Sequence, residues 1–220
     1  MTSLHIGIIG GGFAGLSSAK IFKTFGHSVT LFEKEGDVGG VWSASRRYPG
    51  LTTQNVRSTY ALSDFPYPKG YPEWPSGEQV QKYLHSYCEK FSLLADIRFN
   101  HLVTSATQGE DGRWYVQVTD THLNQTSDHV FDYLLICNGI FSQPAIPTFD
   151  GAKEYIEQGG NIYHTSEVTN IDQAHGKHVA VVGYGKSSCD VAQAVSSVSA
   201  STTVVARSLI WKVPKKLFNV

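Results

Sequence analysis

The chain has 220 residues, 41% hydrophobic and 17% charged, so it can build a globular core of one or two domains. Its net charge of −1 offers no basic field for nucleic acid or an anionic membrane surface, and it has no apolar run of the ~18 residues that a membrane span needs. Cys88, Cys137 and Cys189 form no CxxC pair and the histidines form no HExxH pair, which argues against a disulfide framework, a dithiol redox centre and a metal site. We expect a reducing, cytoplasmic compartment.

The N-terminal segment predicts a β-α-β unit of the kind that binds dinucleotides. Residues 4–9 form a short apolar run typical of a buried strand. Residues 16–25 repeat apolar side chains at helical spacing, and residues 28–32 form a second apolar run. The unit takes about 30 residues, which is the size expected for half of a dinucleotide-binding fold.

The turn between the first strand and the helix reads Gly10-x-Gly12-x-x-Gly15. In such a turn the first glycine allows the tight bend, the second lets a pyrophosphate approach the backbone, and the third lets the helix pack closely on the strand. The helix N-terminus offers N–H groups to the phosphates. Glu33 ends the second strand and can accept hydrogen bonds from ribose hydroxyls, so the unit suits the unphosphorylated ribose of FAD. The alternative is a glycine-rich turn that binds no ligand.

The middle of the chain predicts a long loop, a helix and three strands. The stretch 36–77 is irregular, and loops of this length are usually functional or mobile. Its part 60–74 could form a lid or an oligomer contact, or could pack as an ordinary loop. A helix is expected at 78–91, and an antiparallel β-meander at 97–103, 114–118 and 130–137.

The last of these strands is almost entirely apolar, so we expect it to be buried on both faces. A Pro/Gly-rich linker follows at 138–160. The β-α-β pattern then returns, with strands at 178–182 and 202–206 around a helix at 189–198.

The second glycine turn differs from the first in two informative ways. Gly183 and Gly185 match the first two glycines, while Ser188 stands in place of the third and is still small enough for helix–strand packing. The acid at the strand end is replaced by Arg207, which can pair with a 2′-phosphate, so this unit suits NADP(H). The alternative for Arg207 is a surface arginine without a ligand.

These patterns predict an α/β, Rossmann-like flavoprotein with two dinucleotide-binding domains, an antiparallel β-meander and an incomplete second nucleotide-binding domain. Residues 1–147 form the expected FAD-binding domain and residues 148–220 the expected partial NADP-binding domain. Two dinucleotide sites in one chain indicate hydride transfer from nicotinamide to flavin.

Further motifs follow in order along the chain: GGVW at 39–42, YPG at 48–50, TQN at 53–55, SDFPYP at 63–68, CNGIFSQPAIP at 137–147 and RSLIWKVP at 207–214. Together with the glycine turns, they resemble the flavin-containing monooxygenases, within the class B flavoprotein monooxygenases. The resemblance extends over residues 4–216.

The resemblance implies an enzyme in which NADPH reduces FAD and the reduced flavin reacts with O2 to give a C4a-(hydro)peroxide. That species would oxygenate a small molecule at an amine, a sulfide or a carbonyl. By position, Asn55 would be catalytic, lying near the flavin and holding the oxygenated intermediate or its water; its alternative is an Asx turn. Trp42 would pack beside the flavin or serve as an ordinary core residue.

The residues expected to bind the cofactors come from the glycine turns, the strand ends and the matching motifs. For FAD they are Gly10, Gly12, Phe13, Ala14, Gly15, Glu33, Lys34, Gly40, Val41, Trp42, Asn55, Val103, Asn138 and Gly139. For NADPH they are Gly183, Gly185, Lys186, Ser187, Ser188 and Arg207.

The sequence departs from the family pattern at several points. Lys186 replaces the usual Asn of the second turn, and could contact a phosphate or point to solvent. Phe149 and Gly151 fit the FxGxxxH motif but the nearest plausible histidine is His164, so we do not assign Baeyer–Villiger activity. The segment that returns to complete the flavin domain in the family is not found, which leaves a fragment, half of a split enzyme or a trimmed relative as expectations.

Two other functions remain open. The chain could be a dinucleotide-binding module that has lost oxygenation and acts with a complementing C-terminal chain or as a homo-oligomer. It could also be a flavin reductase or NADPH oxidase of the same architecture, although the lack of paired cysteines argues against a disulfide reductase. No nucleic-acid or membrane partner is expected.

Overall fold

A computed structural model describes residues 2–216 and places the first apolar segment, β1 (His5–Ile9), inside a parallel sheet. The sheet has four strands. β1 pairs with β2 (Ser28–Phe32) on one side and with β7 (Tyr133–Ile136) on the other, and β3 (Ile97–Arg98) pairs with β2. Helix α1 (Phe13–Thr24) connects β1 to β2, which completes the predicted β-α-β unit.

The predicted three-stranded meander is also present. It contains β4 (His101–Gln108), β5 (Trp114–Asp120) and β6 (Gln125–Phe131), which pair antiparallel in that order. Its buried side chains join side chains of the parallel sheet in one cluster, which consists of Phe32, Val116, Val118, Phe131 and Leu134. The meander and the parallel sheet therefore share a core.

Two of the predicted strands are each divided between the two sheets. The run 97–103 contains β3 and the start of β4, and it breaks at Asn100, whose φ of 59° is left-handed. The run 130–137 contains the end of β6 and all of β7, and it breaks at Asp132, whose carboxylate accepts a hydrogen bond from the His5 backbone N–H at 2.7 Å. Hydrophobicity marks such residues as strand, but it does not tell which sheet each residue joins.

The expectation that the last of these strands is buried on both faces is wrong. Among the described strands β7 lies at an edge of its sheet, where it pairs with β1 alone. Leu134 is buried, but Tyr133 is 55% and Ile136 66% exposed. An edge strand of a parallel sheet thus carries the apolar composition of an interior strand.

Helix α2 (Gly77–Lys90) buries an aromatic face, and part of the preceding loop packs on it. The rings of Tyr67 and Tyr83 stack with centroids 3.9 Å apart, and Phe65 lies 5.2 Å from Tyr83 and 5.5 Å from Tyr87. Aromatic pairs at these distances attract each other beyond their buried area. This part of the 60–74 segment therefore packs as an ordinary loop.

The second glycine unit forms a smaller parallel sheet. β8 (His178–Val182) pairs with β9 (Ser201–Val205), and α4 (Lys186–Val195) connects them. Helix α4 begins three residues before the predicted start, as α1 does, because each helix begins directly after the second glycine of its turn. The segment predicted as a linker contains α3 (Ala152–Glu157). Short 3-10 helices occur at Gly40–Trp42, Leu94–Asp96, Thr165–Glu167 and Ile171–Ala174.

The described residues divide into two compact units that do not follow the predicted domain boundary throughout. The first unit contains the residues up to Ser43, with Ala61–Lys69 and Glu78–Ser142. The second contains Ala44–Tyr60, Gly70–Gly77 and the residues from Gln143 onward. The two inserted segments join the second unit because they pack on it: Tyr48, for example, lies against the apolar cluster of Ala174, Val191 and Val195.

None of the helices within residues 2–216 is long and apolar enough to cross a membrane. Over the same residues, no group of three or more His, Cys, Asp or Glu side chains is arranged to hold a metal ion. Cys88 is buried, Cys137 and Cys189 are partly buried, and all three are free thiols.

Gly7 generates a stability prediction, because a Cβ at this position would lie 2.7 Å from Cδ2 of Phe131. We expect Gly7→Ala to lower the free energy of unfolding by about 1–3 kcal/mol, the usual cost of overpacking a core. Urea denaturation measures the change. Gly70→Ala is the matched control, since its Cβ would have no neighbour within 4 Å. Equal stabilities of the two variants would contradict the packing described for Phe131.

Candidate dinucleotide-binding sites

The first glycine loop cannot accept side chains at its two ends. Gly10 has a φ of +105°, and a Cβ there would lie 2.5 Å from the Cys137 carbonyl oxygen. A Cβ on Gly15 would lie 1.9 Å from the Gly10 carbonyl oxygen. Glycine at these positions therefore lets α1 and the end of β7 approach the loop. The first glycine was predicted to allow a tight bend and the third to allow close packing of the helix.

Gly12 is different, because its surroundings leave room for a ligand. A Cβ on Gly12 would meet only the Gly40 Cα, at 3.9 Å. Gly12 is also the N-cap of α1, and no side chain caps the helix. The start of α1 thus lies where the backbone is bare, which fits the pyrophosphate of a dinucleotide.

Glu33 lies 5% exposed at the end of β2 and holds the loop in place. Its Oε2 accepts a hydrogen bond from the Gly11 N–H at 2.6 Å, and its Oε1 accepts one from the Glu35 N–H at 2.9 Å. Carboxylate oxygens have more than one acceptor site each, so these bonds do not exclude ribose hydroxyls. Glu33 therefore stabilises the glycine loop in the structure. Its hydrogen bonds to ribose hydroxyls stay a prediction.

The GGVW motif lies next to the glycine loop. Gly39 donates its N–H to the Gly11 carbonyl at 3.0 Å, and a Cβ on Gly40 would lie 3.5 Å from the Gly12 Cα. Trp42 is only 8% exposed, as an ordinary core side chain would be, whereas Val41 is 36% exposed. The motif therefore brings Gly40 to the bare side of the loop, and the next residue, Val41, is exposed.

The remaining residues predicted for FAD have varied surroundings in the first unit. Phe13 packs 6.2 Å from the Tyr83 ring, and Lys34 donates from Nζ to the Ser142 carbonyl at 2.8 Å. Val103 packs against the core shared by the two sheets. Three of the predicted residues are exposed near the helix start and after β7: Ala14, Asn138 and Gly139.

In the second glycine loop, Ser188 stands in place of the third glycine and lies beside Gly183. A Cβ on Gly183 would lie 2.8 Å from the Ser188 Oγ and 3.8 Å from its Cβ, and Gly183 has a φ of +119°. Gly185 is the N-cap of α4, no side chain caps the helix, and a Cβ there would meet nothing within 4 Å. The second loop therefore repeats the bare central glycine of the first.

Lys186 is paired with a carboxylate of its own helix and is partly exposed. Its Nζ pairs with Oδ2 of Asp190, one turn along α4. The same Oδ2 accepts a hydrogen bond from the Tyr48 hydroxyl at 3.2 Å, and the Ser187 side chain also bonds to Tyr48. These side chains form a polar cluster, Tyr48–Lys186–Ser187–Asp190, at the start of α4. Neither Tyr48 nor Asp190 was predicted at this site, although the i,i+4 spacing of Lys186 and Asp190 signals the ion pair.

Arg207 and Asn55 are both exposed in the second unit. Arg207 follows β9, as predicted, and no carboxylate among the described residues pairs with it. Asn55 lies in a bend, and its side chain makes no hydrogen bond within residues 2–216, so the Asx-turn alternative finds no support there. His164 caps the 3-10 helix Thr165–Glu167, where its Nδ1 accepts a hydrogen bond from the Ser166 N–H at 3.2 Å.

The family model described as "FMO-like: Flavin-binding monooxygenase-like" matches residues 3–218. The chain belongs to this family. The fold class predicted from the sequence is confirmed, because the similar solved structures are flavoprotein monooxygenases of the same Rossmann-like architecture.

Relatives of this flavin-binding monooxygenase-like chain come from several organisms. Dimethylaniline monooxygenase (N-oxide-forming) 4 of Rattus norvegicus is 34% identical, over 94% of this chain and 38% of the relative. Flavin-containing monooxygenase 1 of Oryctolagus cuniculus is 29% identical, over 96% of this chain and 41% of the relative. The chain thus spans about 40% of the length of the curated relatives it matches.

Two solved structures show the same fold. An oxidized steroid monooxygenase bound to NADP superposes with a TM-score of 0.80 at 28% identity, over 97% of this chain and 40% of that one. S-allyl-L-cysteine S-oxygenase from Allium sativum gives a TM-score of 0.78 at 22% identity, over 99% of this chain and 54% of that one. The second likeness concerns the fold alone.

The Tyr48 cluster generates a pH prediction. Burial raises the pKa of Tyr48 to about 12, the Ser187 hydrogen bond opposes the rise, and the negative charge of Asp190 adds to it. Since the unfolded pKa of tyrosine is about 10, the folded state holds the phenol proton more tightly. Stability from protonated Tyr48 is therefore complete below about pH 10 and is lost as the pH rises toward 12.

We expect Tyr48→Phe to lower the free energy of unfolding at neutral pH by about 1 kcal/mol, the net contribution of a hydrogen bond. The variant should also lose less of its free energy of unfolding than the wild type as the pH rises above about 10, because it has no phenol to ionise. Urea denaturation at a series of pH values measures both effects. Tyr155→Phe is the control, because Tyr155 is 53% exposed. Burial also raises the pKa of Tyr83, Tyr87 and Cys88, so some alkaline loss will remain. Parallel pH curves for wild type and Tyr48→Phe would refute the prediction.

Proposed function

We propose that this chain carries the FAD- and NADPH-binding part of a monooxygenase that oxygenates a small molecule with O2. The observation that supports the proposal is a pair of glycine loops with opposite charges at their strand ends. Each loop has a bare central glycine at an uncapped helix start. Glu33 follows the second strand of the first β-α-β unit, which favours an unphosphorylated ribose there. Arg207 follows the second strand of the second β-α-β unit, which favours a ribose with a 2′-phosphate.

The residues of the first loop fit FAD. Gly12 and the start of α1 would hold the pyrophosphate, Glu33 would accept from the ribose, and Gly40 and Val41 would lie beside the cofactor. When bound, FAD supplies the redox and oxygen-activating chemistry of the family, with NADPH as the hydride donor. We keep Asn55 as the proposed catalytic residue, because its exposed side chain is available to hold a water or a reacting oxygen.

For NADPH, Gly185 and the start of α4 would hold the pyrophosphate, and Arg207 would pair with the 2′-phosphate. Ser187 and Lys186 would act from the first turn of α4, with Lys186 first leaving Asp190 if it is to reach a phosphate. Ser188 would keep the helix close to the strand, as its contact with Gly183 suggests.

The name of the rat relative suggests a substrate class. That enzyme is a dimethylaniline monooxygenase that forms N-oxides. We propose a tertiary amine as the first substrate to test, with a sulfide as the second, because both are soft nucleophiles. The three free thiols fit the proposed cytoplasmic location.

A second candidate function is a nucleotide-binding module that works with a complementing chain or a second copy. It is favoured by the exposed apolar side chains of β7 and the segment after it: Tyr133, Ile136, Ile140 and Phe141 are at least 55% exposed. Apolar surface on an edge strand commonly pairs with another chain.

The visible absorbance spectrum of the purified chain, before and after anaerobic NADPH, tests the two candidates. Bound oxidised flavin that bleaches with NADPH, followed by conversion of dimethylaniline to its N-oxide in air, would support the monooxygenase. A colourless protein that takes up no added FAD would refute it for the isolated chain and favour the second candidate. Bleaching and peroxide release without product from amine or sulfide would indicate an NADPH oxidase instead.

Alanine substitutions at Gly12 and Gly15 can distinguish a residue needed for FAD binding from one needed for folding. We expect Gly12→Ala to lose bound FAD and to change the free energy of unfolding by less than about 1 kcal/mol, because the space beside Gly12 is open and its φ of −89° suits alanine. Gly15→Ala should lose both FAD and stability, since its Cβ would strike a backbone oxygen. Absorbance per chain and urea denaturation give the two readouts. Full flavin content in Gly12→Ala would contradict the assigned pyrophosphate position.

A further inference from the structure

Several lysines of the second unit surround its glycine loop or pack near it, and most are occupied. Lys186 is paired with Asp190. Lys216 lies 3.6 Å from Glu73. Lys215 donates from Nζ to the Thr52 hydroxyl at 2.7 Å and lies over the Trp74 ring. Lys186 and Lys216 are therefore neutralised by carboxylates, and Lys215 is held by residues outside the glycine turn.

Lys212 is held differently, on the glycine turn itself. Its Nζ donates a hydrogen bond to the Tyr184 carbonyl at 2.7 Å and lies 4.6 Å from the centre of the Tyr184 ring. Tyr184 is the residue between Gly183 and Gly185. No carboxylate among residues 2–216 pairs with Lys212, so its charge is oriented by a carbonyl and a ring face but not neutralised.

The sheet register brings this lysine to the strand end from which Arg207 departs. Val182 pairs with Val205, and the Gly183 N–H donates to the Val205 carbonyl at 2.8 Å. The chain segments that follow β8 and β9, which carry Tyr184 and Arg207, therefore leave the same edge of the sheet. Lys212 and Arg207 are thus two unneutralised cations at one edge.

A 2′-phosphate is a group that two such cations can bind together. It is a monoester with a charge of about −1.5 to −2 at neutral pH and three acceptor oxygens. A lysine has three N–H donors, and Lys212 uses one of them on Tyr184, which leaves two for a ligand. Arg207 can supply a planar pair of donors to the remaining oxygens.

We propose that Lys212 is a second 2′-phosphate-binding residue, which Tyr184 holds in place and which acts together with Arg207 to select NADP(H) over NAD(H). The inference rests on the proposed NADPH site but not on oxygenation. Lys212 is a specificity-determining residue in this assignment, since NAD(H) lacks the group that it binds.

The test is equilibrium binding of NADP⁺ and NAD⁺ to the purified chain by isothermal titration calorimetry, which needs no turnover. Lys212→Gln should weaken NADP⁺ binding by about three- to tenfold at low salt and leave NAD⁺ unchanged, because an exposed charged contact is worth that much. Lys212→Arg should retain most of the NADP⁺ affinity. The loss in Lys212→Gln should shrink at high salt, where exposed charges are screened.

Lys177→Gln is the matched control, since it removes the same charge just before β8, at the opposite edge of the sheet. An equal loss of both nucleotides in Lys212→Gln, or the same loss in Lys177→Gln, would overturn the assignment. So would unchanged NADP⁺ binding, or a wild type that binds NADP⁺ no more tightly than NAD⁺. NADP⁺ selectivity that depends on Lys212 in a chain without flavin or oxygenation would support the inference while refuting the proposed monooxygenase.

Discussion

The close approach of α1 to the turn before it is the constraint on which the first site depends. The Gly15 Cα lies so near the Gly10 carbonyl that a single methyl group would collide with it at 1.9 Å. This approach sets the helix start beside the end of β1, and Glu33 then fixes the turn through the Gly11 N–H. The backbone at Gly12 is bare beside this turn, and in the proposed site it would give the helix N-terminus access to a pyrophosphate.

The second loop also has a bare central glycine at a helix start, although its third glycine is replaced. Ser188 keeps a side chain where Gly15 has none, and its hydroxyl faces Gly183. The start of α4 then gains a polar cluster, in which Asp190 joins Lys186 to Tyr48. Tyr48 also packs on the apolar cluster under α4, so the inserted segment Ala44–Tyr60 is bound to the second unit by both polar and apolar contacts.

The charges at the strand ends distinguish the two sites more sharply than the loops do. Glu33 is buried and bonded to backbone N–H groups, whereas Arg207 and Lys212 are exposed and have no carboxylate partner among the described residues. A buried, bonded acid contributes to folding as well as to any ligand. Exposed cations without a counter-charge contribute little to folding, and in the proposed site the 2′-phosphate of NADP(H) would be their counter-charge.

The sequence alone determined the two β-α-β units, the meander and the residues of both glycine turns, because glycine spacing and apolar runs report local geometry directly. Only the tertiary structure decided which sheet each half of 97–103 and 130–137 joins, because β3 and β7 pair with β2 and β1, whose residues lie more than sixty positions away in the sequence. The same holds for the exposure of β7, the placement of Tyr48 on α4 and the anchoring of Lys212 on Tyr184. These contacts join residues more than twenty positions apart or depend on neighbouring strands, and no local pattern encodes them.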